Sequence, residues 1–292
     1  EKQQILKALT HAPVFGDAFK LNYKDRNKQY GRPNLCKTGF PCKNYSRSGD
    51  QSGKSGETGW MFIAQCKCLI ELDPDMVIIE MVDNVLTVND GSDLHTVKER
   101  LAPHFSLKAK IIECWRMGDV SFRRRLILTG INKRFGEKGE HAWTFPKETF
   151  NQHYAPIAWH VAANDKDVPP EAWNHVQPTM RTWMDPKLGR LHQVAQFGQG
   201  GMGHSSFPRT VMSFFGLFTT QTGYNGGAQY PTRDYKPGQR IYKTRNPLPE
   251  ETIRIASLPA DGTDVSKPGN TDPMFLYGCV NQGWPLRMAN AL

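Results

Sequence analysis

No apolar run in this sequence approaches the roughly 18 residues that a membrane-crossing helix needs, and no secretory leader is visible. These absences point to an intracellular protein with no membrane partner, nuclear if its source is eukaryotic. Cysteine is sparse, with six residues (Cys36, Cys42, Cys66, Cys68, Cys114 and Cys279). Without a leader, free thiols are expected rather than a disulfide framework. Zinc is a weak reading of Cys36, Cys42, Cys66 and Cys68. The Cys66-x-Cys68 spacing is poor for a tetrahedral site and falls on a helical face, so no metal is expected. No internal repeat is visible. The apolar fraction, 38%, is on the low side, so a core requires clustered apolar residues. The chain starts at Glu1 without a Met and is read as a piece of a longer protein.

The clusters are present at Met76 to Val82 and Leu126 to Ile131. A length of 292 residues fits one large domain or one domain plus a smaller one. The net charge of +9 and 11% aromatic residues suit a polyanionic partner, because Lys and Arg neutralise phosphates and rings stack on bases. Gln3 to Leu9 reads as the end of a helix, followed by a connection from Pro13 to an acidic turn at Asp17. Residues 47 to 59 are rich in Ser and Gly and read as a mobile, polar loop. Phe62, Cys66, Leu69 and Ile70 mark a helical face within Met61 to Leu72. Met76 to Val82 reads as a buried strand. Ser92 is placed to cap a helix with the inner face Leu94, Val97 and Leu101. Ala109 to Trp115 and Arg125 to Ile131 read as two further strands. The order β-α-β-α-β-β predicts an α/β fold with a mostly parallel sheet. Residues 133 to 243 change character, with many Trp, Gly, Pro, His and Gln residues and little periodicity. Pro249 to Leu258 and Pro285 to Leu292 read as helices.

Three segments carry chemistry. Gly39-Phe40-Pro41-Cys42-Lys43-Asn44-Tyr45-Ser46-Arg47-Ser48-Gly49 presents a thiol on a rigid turn, with Lys43 and Arg47 favouring the thiolate. A lone cysteine is more often a small buried hydrophobe. Glu80 interrupts Met76-Val77-Ile78-Ile79-Glu80-Met81-Val82. A carboxylate in a buried strand is costly unless paired or put to use, unless it lies past the sheet edge in solvent. In Ser121-Phe122-Arg123-Arg124-Arg125, an extended backbone would put Arg123 and Arg125 on one face, suited to a phosphate or a base edge. The alternative is an ordinary basic edge.

In this order the segments resemble the DNA cytosine carbon-5 methyltransferase family. Its Gly-x-Pro-Cys-x-x-x-Ser-x-x-Gly loop is matched by Gly39, Pro41, Cys42, Ser46 and Gly49. Its Glu-Asn-Val strand end is matched by Glu80-Met81-Val82, and its Gln-x-Arg-x-Arg by Ser121-x-Arg123-x-Arg125. Arg245, Glu251 and Pro259 echo a later Arg, Thr, Glu and Pro pattern. Asn281-Gln282-Gly283-Trp284-Pro285 resembles the closing turn, and Gly16-Asp17 the acidic cofactor-contacting turn. Two substitutions depart from the pattern. Met81 stands for Asn, so support of the Cys loop is expected to differ, and Ser121 stands for Gln. The family's Phe-x-Gly-x-Gly motif has no counterpart after Glu1 and is expected upstream, which leaves the activity of this segment alone open.

The resemblance implies a Rossmann-like, S-adenosylmethionine-dependent methyltransferase fold with a smaller, loop-rich target-recognition domain. Residues 1–132 would form the catalytic domain, 133–243 the recognition domain, and 244–292 the return to the catalytic domain. Ser206-Phe207-Pro208-Arg209-Thr210 resembles a Pro-Thr element of that recognition region. The implied catalytic set is Cys42, Glu80, Arg123 and Arg125. The implied contacts to S-adenosylmethionine are Glu1, Asp17, Pro41 and Gln282. The implied partners are duplex DNA with a flipped cytosine and an upstream segment of the same protein. Methylation of RNA, such as tRNA, and a non-catalytic nucleic-acid-binding module remain the alternatives.

Overall fold

The computed structural model describes residues 13, 15–40, 44–45, 51–150, 158–175, 193–196, 210–219, 229–236, 239–248 and 250–251. The chain divides into two compact units. One comprises Pro13–Ile112 and Arg124–Phe145; the other comprises Glu1–Ala12, Glu113–Arg123 and Pro146–Leu292. Among the described residues no helix is long and apolar enough to cross a membrane.

The first unit is built on a four-stranded sheet of order β1-β2-β5-β3, with β1 at Leu35–Gly39, β2 at Met76–Val82, β3 at Phe105–Glu113 and β5 at Arg124–Asn132. Central β2 pairs with β1 in parallel and with β5 in antiparallel fashion. The sheet is therefore mixed, where the element order had predicted mostly parallel strands. The cause lies in the connection between β3 and β5. It is a short 3-10 turn at Cys114–Met117 and the two-residue strand β4 at Ser121–Phe122. A parallel return needs a crossover of about a dozen residues or more, usually a helix. Here the backbone N–H of Cys114 donates to the Arg123 carbonyl, and that of Lys133 donates to His104, so the chain turns back on itself.

Helix α1 spans Tyr23–Tyr30, α2 Trp60–Leu72, α3 Ser92–Leu101 and α4 Gly136–Ala142. The sequence reading lacked α1 because its face is almost wholly polar. Its signals are terminal instead: Asn22 caps it by accepting from the Lys24 and Asp25 amides, and Gly31 closes it at φ 77°. Phe62, Cys66, Leu69 and Leu72 form the buried stripe of α2, and Leu94, Val97 and Leu101 that of α3. Phe62, Cys66 and Leu69 of the first stripe and all of the second pack with Val77, Ile79 and Met81 of β2 and with Leu126 and Leu128 of β5 in one core. Burying each such side chain contributes about 1.5–3 kcal/mol. Ser92 does not cap α3; it is the first helical residue, and Gly91 holds the cap position at φ 73°. The left-handed backbone needed there explains the preference for glycine over a capping hydroxyl. β3 begins at Phe105, four residues before the predicted Ala109.

In the described part of the Ser/Gly segment, residues 51–59, Gln51, Lys54, Ser55 and Glu57 are exposed, as a polar loop requires, while the glycines are closely packed. A Cβ on Gly56 would fall 2.3 Å from the Asn44 amide nitrogen, and one on Gly59 1.9 Å from the Lys54 carbonyl oxygen.

The second unit has short elements, β4, β6 at Gln193–Gln196, β7 at Thr210–Met212 and β8 at Phe218–Thr219. β4 pairs with β8 in parallel, and β6 with β7 antiparallel. Its core is aromatic: Phe214 stacks on Tyr230 with centroids 4.7 Å apart, and Phe218 packs on both. Large rings make a core where regular periodicity is weak. The predicted helices at Gln3 to Leu9 and Pro285 to Leu292, and the closing turn at Asn281 to Pro285, lie outside the described residues. The same holds for Pro259 and, apart from Thr210, for Ser206 to Thr210.

Candidate active site

The carboxyl ends of β1 and β2 lie side by side, and α/β sheets carry ligands at such ends. Gly39, the last residue of β1, is in register with Glu80 of β2. A Cβ on Gly39 would stand 3.3 Å from Glu80 Oε2, so glycine leaves room for the carboxylate. The chain then leaves the sheet at Phe40, whose N–H donates to the Glu80 carbonyl at 3.1 Å. Phe40 is buried, as are Asn44 and Tyr45. Pro41, Cys42 and Lys43 lie outside the described residues. What is described is both flanks of the Cys42 loop.

Glu80 is neither solvated past the sheet edge nor free in the core. Its Oε1 accepts from Arg125 Nε at 2.5 Å, and each side chain is 13% exposed. The antiparallel register explains the meeting. Glu80 faces Ile127, and Arg125, two residues away on the same strand face, reaches it diagonally. Arg125 Nη1 also donates to the Arg124 carbonyl at 2.7 Å. Lys37 of β1 has its pKa lowered, by burial first, with the Glu80 charge acting in the opposite direction. A charged pair at a strand end, partly open to water, suits exchange of one partner for a polar ligand atom.

Arg123 is buried and does not continue β5. Its N–H donates to the Ser121 carbonyl at 3.0 Å, so the chain bends there, between β4 and β5. The run is therefore not a single extended strand. Ser121, in place of Gln, is buried and uses both its N–H and its hydroxyl on Asp119 Oδ1, at 2.8 and 2.6 Å. Asp17 is exposed and caps the turn Ala18–Lys20, its Oδ1 accepting from the Phe19 N–H at 3.0 Å. Glu1 and Gln282 lie outside the described residues.

Met81 is a core residue, 2% exposed, and offers no amide to the Cys loop. Asn84, three residues later, supplies one: its Nδ2 donates to the Tyr45 carbonyl at 2.8 Å. Asp93 takes the Tyr45 hydroxyl at 3.0 Å. Sequence reasoning missed both. An Asn in a turn and an Asp in a first helical turn are ordinary solvent-facing residues, and no local signal separates these two. Burial pushes the Cys36 and Cys66 thiols up to about 11, so both stay neutral near pH 7 and are poor nucleophiles.

This fold is that of the methyltransferases. Among the solved structures that are similar are the following two. One is the methyltransferase EhMeth of Entamoeba histolytica, with TM-score 0.61, 12% identity, and 99% of this chain and 84% of that one covered. The other is the Dnmt2 methyltransferase of S. pombe, with TM-score 0.63, 11% identity and 99% and 85% covered. The sequence profile of the C-5 cytosine-specific DNA methylases matches residues 2–265, and the chain belongs to that family. Among curated relatives it is similar to the type II methyltransferase M.BbvI of Brevibacillus brevis, 27% identical over 166 residues, 56% of this chain. It is also similar to M.HhaI of Haemophilus parahaemolyticus, 25% identical over 235 residues, 77% of this chain. It spans 42% and 65% of those two proteins, less than two thirds of either.

Proposed function

We propose that this protein methylates carbon 5 of cytosine in DNA through a transient covalent bond from Cys42. The observation that carries the reading is the Glu80–Arg125 pair at the end of β2, one backbone hydrogen bond away from the start of the Cys42 loop. Family membership supports it.

The chemistry follows from the base. A pyrimidine ring is a poor carbon nucleophile, and covalent addition divides the hard step into easier ones. The Cys42 thiolate forms a bond to carbon 6 while Glu80 holds N3 in its protonated form, so electron density collects at carbon 5. Arg125 then leaves part of its bond with Glu80 to donate to the base oxygen O2, and Arg123 supports the segment's backbone. Carbon 5 takes the methyl group. Loss of its proton to a base restores the double bond and expels the Cys42 thiolate. S-adenosylmethionine supplies the methyl group when bound. Of its proposed contacts Glu1, Asp17, Pro41 and Gln282, Asp17 is the described one. Its exposed carboxylate fits an amino or hydroxyl donor of the cofactor. The target base must leave the duplex, because stacking covers both ring faces. The region 133–243 would read the target, with the 244–292 segment returning to the catalytic domain.

The test is covalent trapping by the full-length protein on duplex DNA carrying 5-fluorocytosine. Fluorine cannot leave as a proton, so the adduct persists. Wild type should trap and Cys42→Ser should not, since a hydroxyl is far less acidic than a thiol. Trapping by Cys42→Ser would move the nucleophile elsewhere. Trapping on tRNA alone would favour RNA as substrate, and DNA binding without trapping on either would favour a non-catalytic module.

A further inference from the structure

Asp93 is 1% exposed, in the first turn of α3, and has no part in the chemistry just described. A carboxylate buried to that degree costs several kcal/mol unless its acceptors are filled. Its Oδ2 is filled, chiefly from the two segments that continue the Cys42 loop, and Oδ1, without a hydrogen bond, faces the Lys54 ammonium. Asp93 Oδ2 accepts from the Tyr45 hydroxyl at 3.0 Å and from the Lys54 N–H at 2.8 Å, with Asn89 Nδ2 at 3.1 Å. Lys54 Nζ stands 3.5 Å from Oδ1. Tyr45, three residues after Cys42, is held a second time through its carbonyl by Asn84. Its ring packs on Phe62, centroids 4.5 Å apart.

The neighbouring backbone closes the loop at its base. The Gly53 N–H donates to the Asn44 carbonyl at 3.0 Å, and Asn44 Nδ2 donates back to the Gly53 carbonyl at 3.2 Å. Gly53 has φ +61°, and a Cβ there would lie 2.5 Å from Asp93 Oδ2. The glycine is what lets the backbone sit on the carboxylate. On the opposite flank Phe40 is tied to Glu80. From this arrangement we infer that Asp93 is a positioning residue, setting through Tyr45 and Lys54 where the Cys42 loop stands relative to Glu80.

The inference rests on Cys42 being the nucleophile, so the experiment separates the two. In the full-length protein, wild type, Cys42→Ser, Tyr45→Phe, Asp93→Asn and the Tyr45→Phe/Asp93→Asn double variant are compared. The readings are the rate of adduct formation with 5-fluorocytosine duplex, Kd for the unfluorinated duplex, and trypsin cleavage after Lys43 and Arg47. Tyr45→Phe removes one oxygen and keeps the ring, so it serves even if Asp93→Asn does not fold. Each single variant should slow trapping on the order of 10- to 100-fold, the cost of a small misplacement of a reacting group. Kd should stay unchanged, cleavage should quicken, and the double variant should be no slower than the slower single, because one bond is broken in all three. Tyr45→Phe trapping at the wild-type rate overturns the inference, as does a rate loss matched by an equal loss of DNA affinity. Wild type that never traps, with cleavage still faster in Tyr45→Phe, overturns it through Cys42 and leaves the loop contact standing.

Discussion

Two Arg–Glu pairs in this molecule have the same chemistry and different surroundings. Arg245 and Glu251 are 0% exposed and joined twice, Nη1 to Oε2 at 2.6 Å and Nη2 to Oε1 at 2.8 Å. The Ala163 and Leu248 N–H groups fill the same carboxylate, at 2.7 and 2.6 Å, and the Arg245 guanidinium lies over Phe214 at 5.1 Å. Glu80 and Arg125 sit on a sheet, each 13% exposed. The first pair is enclosed by backbone donors and rings and holds loops together. The second is open to water at a strand end, where a ligand atom can take over one partner. Exposure, rather than the pairing itself, distinguishes the two pairs.

Breaking the enclosed pair should have the largest effect. Glu251→Ala leaves a buried guanidinium uncompensated and should cost about 3–5 kcal/mol, read as a fall in the urea unfolding midpoint. A loss below about 1 kcal/mol, the value of an exposed pair, would erase the distinction between the two pairs. Glu80→Gln should reverse the pattern. Unfolding should change little, while 5-fluorocytosine trapping slows on the order of 10²- to 10³-fold, as when one stabilising group is removed from a transition state. Unaltered trapping would return Glu80 to a structural role.

A smaller effect is expected from Gly39→Ala. The added methyl meets Glu80 Oε2 at 3.3 Å, tighter than ordinary contact, and must displace it. Trapping should slow a few-fold, less than in Glu80→Gln, with overpacking costing about 1 kcal/mol. Full activity in Gly39→Ala would show that the carboxylate position is not critical.

The smallest effect is a pH dependence. Burial raises the Asp93 pKa, but the hydrogen bonds from the Lys54 N–H, Asn89 and Tyr45 and the Lys54 charge outweigh it, and the net shift is below the ordinary 3.8. A depressed folded-state pKa contributes stability that is present above the unfolded value and lost as pH falls through the folded one. The stability gap between wild type and Asp93→Asn should therefore be constant near neutral pH and shrink below about pH 4. A gap that widens on acidification would contradict the assigned contacts.

Much of the first unit was legible in the residues. The stripes of α2 and α3 and the apolar run of β2 announce themselves because periodicity is local. Glu80 stood out as a carboxylate where burial predicted none, and Arg125 through its place in a motif. The mixed sheet was half legible: two adjacent strands without an intervening helix have little choice but to turn back. The proposals of Cys42 as nucleophile and of Glu1, Asp17, Pro41 and Gln282 as cofactor contacts stand on the motifs alone.

What the sequence determined by itself is α2, α3, β2 and β5, the family and the chemically unusual residues Glu80 and Arg125, since these depend on neighbours a few positions apart. The tertiary structure alone decided which side chains meet. Tyr45 and Asp93 are 48 residues apart, and Glu80 and Arg125 are 45 apart. Asn84 rather than Met81 reaches the loop because alternation in β2 turns Met81 into the core and Glu80 to the opposite face. Strand register and loop closure set such contacts, and neither is written in any short window of the chain.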